Sequence, residues 1–80
     1  MNTAGLKILE EIKNIYQARK MTELQLAEKY NTSKDNIVTI LMNLGYNNTL
    51  LTKESITPIA EAWENDKVRN ICNEIAKTHP

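Results

Sequence analysis

Eighty residues carrying ten basic and ten acidic side chains give a chain of zero formal net charge, with room for one small domain over 1–80 and a modest core. Hydrophobic residues make up 41%, and glycine and proline number two each, which excludes low complexity and extended disorder. The charge balance excludes a strong overall pull toward nucleic-acid phosphates, while one cysteine (Cys72) and one histidine (His79) exclude an internal disulfide and a zinc site.

The first element is a helix over 4–19, where Ile8, Leu9, Ile12, Ile15 and Tyr16 form a one-sided apolar stripe. Thr3 is its expected N-cap, and Arg19 and Lys20 suit its C-terminal end. "TELQ" follows, a capping box in which Thr22 and Gln25 satisfy each other's backbone donors. It starts a short helix over about 23–30, with Leu24, Ala27 and Tyr30 as inner residues. "NTS" ends that helix, and Thr32 or Ser33 caps the next, which runs to about Leu44 with Ile37, Ile40, Leu41 and Leu44 inward. Gly45 stands where a left-handed residue closes a helix.

The pattern then lapses. "TLLT" and "SIT", across "KE", could pair as a two-stranded wing at about 49–57, and a loop fits equally well. Pro58, after Thr57, is a helix start. Ile59, Ala60, Trp63, Val68, Ile71, Cys72 and Ile75 continue as an inner face, with a break near 65 where Asn65 or Asp66 can cap a fresh helix. The chain is therefore expected to be an all-α domain of four or five helices. Its core is expected to hold Leu9, Ile12, Tyr16, Leu24, Ala27, Ile37, Ile40, Leu41 and Trp63. Cys72 reads as a small buried apolar residue.

The stretch "ELQLAEKYNTSKDNIVTILMNLG" resembles the helix-turn-helix of small regulators of bacteria, phages and plasmids, some of them winged. Ala27 stands where such a motif keeps a small residue under the crossing helix. Asn31 stands where it turns left-handed, and Ile37 and Ile40 where it anchors the second helix. The resemblance covers about 22–44. It implies a DNA-binding helix that presents Lys34, Asp35, Asn36, Val38, Thr39, Met42 and Asn43, with Lys20, Lys29 and Lys53 near phosphates. A single neutral module binds DNA weakly, so a homodimer through Val68, Ile71 and Ile75 is expected.

A second reading stays open beside it. Residues 1–53 hold seven basic and five acidic side chains against three and five over 54–80, a tilt too small to decide for DNA. Val38, Met42 and Tyr46 could form an apolar patch that suits a protein target instead, as in phage or plasmid accessory proteins. Neither reading involves catalysis. No phosphate-binding glycine loop, CxxC or nucleophile motif occurs, and Asp35, Asp66 and the glutamates read as solvated faces. No enzyme, cofactor, metal or membrane span is expected. "MNTAGLKILEEIK" lacks the apolar core of a signal peptide, so a cytoplasmic location is expected.

Overall fold

A computed structural model describes residues 3–46 and 57–79. Within them lie five helices and no strand: α1 (Ala4–Gln17), α2 (Glu23–Lys29), α3 (Lys34–Asn43), α4 (Ile59–Trp63) and α5 (Asp66–Thr78). The fold is all-α, as the periodicity requires. The region considered for a wing lies outside the described residues except for Thr57, whose N–H donates to the Leu44 carbonyl at 2.9 Å and so brings the chain back to the end of α3.

Helix starts follow their caps. Thr22 Oγ1 accepts from the Gln25 N–H while Gln25 Oε1 accepts from the Thr22 N–H, completing the capping box. Ser33 Oγ accepts from the Asn36 N–H, and Asn65 Oδ1 accepts from the Lys67 and Val68 N–H groups. Thr3 occupies its N-cap position without a side-chain bond, and α4 begins at Ile59, so Pro58 itself is the cap.

Helix ends share one device. After α1, α2 and α3 the chain turns left-handed at Arg19 (φ 58°), Asn31 (φ 53°) and Gly45 (φ 97°). Each time that residue's N–H reaches back three residues and the next N–H reaches back five: Arg19 to Tyr16 and Lys20 to Ile15, Asn31 to Glu28 and Thr32 to Ala27, Gly45 to Met42 and Tyr46 to Leu41. These are three Schellman closures in sequence, which satisfy carbonyls the helices leave open.

α1 makes its largest interface with α5, α2 packs on α3, and α3 also meets α5. The core joins Leu9, Ile12 and Tyr16 of α1, Leu26, Ala27 and Tyr30 at α2, Ile37, Ile40 and Leu41 of α3, and Val68, Cys72 and Ile75 of α5. Two expected core members are corrected. Leu24 is 55% exposed and Leu26 is buried in its stead, because Leu24 lies roughly 110° around the helix from the mean direction of Leu26, Ala27 and Tyr30. Trp63 is only half-buried and lies at the core's edge. It faces Gly5, where a Cβ would come within 2.9 Å of the indole and collide with Asn73 Oδ1, so α1 comes this close only because residue 5 has no side chain.

Two tyrosines stitch α1 to α2 reciprocally. The Tyr16 hydroxyl donates to Glu23 Oε1 at 2.9 Å, and the Tyr30 hydroxyl donates to Glu11 Oε1 at 2.8 Å. Glu11 and Glu23 are thus acceptors for buried phenols, which corrects their reading as purely solvated acids.

Candidate binding surface on the third helix

α3 is fixed on its inner side by Ile37, Ile40 and Leu41, and its direction is set by the turn at Asn31. With three of its ten positions turned inward, the remaining arc faces away from the core. Lys34 and Asp35 are exposed, Val38 and Thr39 half-buried, and Met42 is 54% exposed. Neither Lys34 nor Asp35 has an ion-pair partner among the described residues.

The two amides assigned to base contact are occupied. Asn36 Nδ2 donates to Thr32 Oγ1 at 2.9 Å. Asn43 Nδ2 donates to the Thr39 carbonyl at 2.8 Å, while Asn43 Oδ1 accepts from Asn65 Nδ2 at 3.1 Å. Both side chains are half-buried, so a new contact would have to replace a bond already made.

Of the residues considered for phosphate contact, Lys20 and Lys29 are exposed, and Lys53 lies outside the described residues. Lys29 Nζ rests 5.4 Å from the centre of the Tyr30 ring, a position within cation–π range.

The surface proposed for dimerisation is corrected. Val68 and Ile75 are buried, and with Cys72 they are the face that α5 turns toward α1 and α3. Only Ile71 remains half-exposed. The outer side of α5 is polar, and four of its charges pair along the helix, Arg69 with Asp66 and Lys77 with Glu74. The Arg69 Nη1 also donates to the Trp63 carbonyl at 2.8 Å, tying α5 to α4.

Tyr46 leaves the expected apolar patch as well. It is buried, with its ring edge-on to Tyr16 at 5.0 Å and 84°. The exposed apolar residue that the periodicity misplaced is Leu24, because so short a helix gives little phase to separate it from Leu26. Leu24 and Met42 are the large apolar side chains exposed among the described residues.

Burial pushes the Cys72 thiol up to about 12, which keeps it protonated and unreactive at neutral pH. Among the described residues no group of three His, Cys, Asp or Glu side chains is placed to hold a metal, and no helix is long and apolar enough to cross a membrane. Compared with protein-family models, curated proteins and solved structures, the chain matches none, so its own surface chemistry must carry the functional reading.

Proposed function

We propose that this chain is a small non-enzymatic regulator of the helix-turn-helix type that binds DNA through the outer face of α3, working as a dimer in the cytoplasm. The observation that carries the reading is the α2–α3 junction. Ala27 is buried, Asn31 is left-handed, and Ile37 and Ile40 hold α3 down, leaving Lys34, Val38, Thr39 and Met42 along its outer side. Lys34 would meet phosphate or guanine, and Thr39 or Val38 a thymine methyl. Asn36 and Asn43 would exchange local bonds for base edges, at reduced net gain.

A second reading has its own observation. Leu24 and Met42 expose apolar surface, and Asp35 places a carboxylate on the same helix as Met42, a mixture that fits a protein target better than a polyanion.

One titration separates the two. Binding of a mixed-sequence duplex, followed by anisotropy at rising salt, should show a log–log slope of several units, and Lys34→Glu should lower affinity and reduce that slope by about one. A chain with no salt-dependent duplex binding at micromolar concentration would falsify the DNA reading and leave the protein one.

A further inference from the structure

A cleft of about 200 Å³ opens between the end of α1, the connection to α2, the first turn of α2 and Tyr46, three residues past the end of α3. Tyr16, Met21 and Tyr46 give it an apolar wall, and Arg19, Lys20 and Glu23 are its charged members. Their states differ. Glu23 already accepts from the Tyr16 hydroxyl. Arg19 and Lys20 are exposed, and their side chains have no hydrogen-bond or ion-pair partner among the described residues.

Arg19 is unusual in its backbone too. It holds the left-handed position that closes α1, with φ 58°, where glycine is free of the Cβ clash and arginine is not. The closure itself uses only backbone N–H groups, so its hydrogen bonds do not require an arginine there. A left-handed backbone position that lines a cleft with Tyr16 and Tyr46, and that carries a cation without an ion-pair partner among the described residues, is a combination that suits ligand binding.

We propose that this cleft binds a small planar aromatic carboxylate, its ring against Tyr16, Met21 and Tyr46 and its carboxylate on Arg19 and Lys20. The size limits the choice: pockets for larger organic ligands run to roughly 300–1,000 Å³, so one ring with a short acidic group is what fits here. The charge limits it further. Two cations without ion-pair partners among the described residues favour one anionic group, and the Glu23 carboxylate disfavours a second. Guanidinium meets carboxylate in a planar fork, which lysine alone cannot supply. Because the walls come from α1, α2 and the end of α3, occupancy biases how the α2–α3 unit sits on α1. Of the residues considered for phosphate contact, Lys20 also lines this cleft.

The test uses the full chain, with benzoate as probe and amide NMR as readout. Benzoate should shift Arg19, Met21, Glu23, Gln25 and Tyr46 saturably in the millimolar range that a single-ring fragment supports. Benzyl alcohol, the neutral counterpart, should bind roughly tenfold or more weakly, the loss of one charge-assisted contact. Arg19→Gly should lose benzoate to the same extent while the Tm rises by about 2–6 °C, since glycine relieves the left-handed residue. Arg19→Gln keeps the backbone cost and removes the charge, and it should lose benzoate without that rise. Non-saturable shifts, equal binding of benzyl alcohol, or benzoate binding unchanged in both variants overturns the proposal.

Discussion

The ends of α1 and α3 are closed by the same pair of backbone hydrogen bonds, yet one uses glycine and the other arginine. At Gly45 residue type and backbone agree, and the turn is visible in the sequence. At Arg19 they disagree, and nothing in "YQARKM" announces a left-handed residue. The end of α2 lies between them: Asn31 tolerates the conformation because its short amide can bond locally. One geometry met with three residue types teaches that the closure is imposed by packing on both sides. Residue choice then sets how comfortably it is held.

Alkaline titration should give the largest effect on that packing. Burial raises the Tyr16, Tyr30 and Tyr46 phenols above their usual 10, with the Glu23 and Glu11 contacts adding to the first two, and raises the Cys72 thiol from 9. The folded state prefers each neutral form, so this stability is whole below about pH 9 and is lost as pH climbs through 9–12. The cost is about 1.4 kcal/mol per pH unit for each group that ionises only on unfolding. Denaturant midpoints at pH 8 and pH 11 measure it, and equal midpoints would show that the phenols ionise in the folded chain.

Ala27→Glu strikes the closure of α2 directly. Ala27 is buried where α2 meets α3, and its carbonyl accepts from the Thr32 N–H. A carboxylate there has no partner, and a loss of about 3–5 kcal/mol is expected in urea unfolding. An unchanged midpoint would mean that α2 and α3 do not cross at this residue.

The two glycines then separate space from conformation. Gly5→Ala forces a Cβ into the Trp63 indole and Asn73, and should destabilise by about 1–3 kcal/mol despite alanine's better helix propensity. Gly45→Ala must hold φ 97°, and should lose about 1–2 kcal/mol. If Gly5→Ala raises the Tm, the α1 approach to Trp63 is looser than described. Asn31→Gly should give the smallest change, a gain of a few tenths of a kcal/mol by the same midpoint measurement. A clear loss there would assign the Asn31 side chain a role beyond tolerating its backbone.

Much of this was legible beforehand because it is local chemistry. The Thr22–Gln25 box, the Ser33 and Asn65 caps, Gly45 and Asn31 each need only neighbours a few residues away. What the sequence hid depends on partners far along the chain. Val68 and Ile75 make a stripe that suits a dimer as well as a core, and only the presence of α1 and α3 beside α5 settles it for the core. Tyr46 looked exposed because its partner, Tyr16, is thirty residues earlier. Leu24 and Leu26 sit two apart in a seven-residue helix, too short for periodicity to choose between them.

The outer face of α3 was placed by its stripe, but the state of its side chains was not. That Asn43 would be held by Asn65, across the whole connection from α3 to α5, has no trace in spacing. The exposed remainder, Lys34, Asp35 and Met42, is what any target of this helix meets first.

Cys72 gives the chain a clock. It is fully buried on α5 and is the only thiol in the sequence, so a thiol-reactive dye can modify each molecule at one position, and only while α5 is lifted from α1 and α3. Labelling rate under native conditions therefore counts openings of the largest interface in the fold, without denaturant and without an engineered probe. A bound target that needs α5 in place would slow the clock, and one that competes with α5 for the core would speed it.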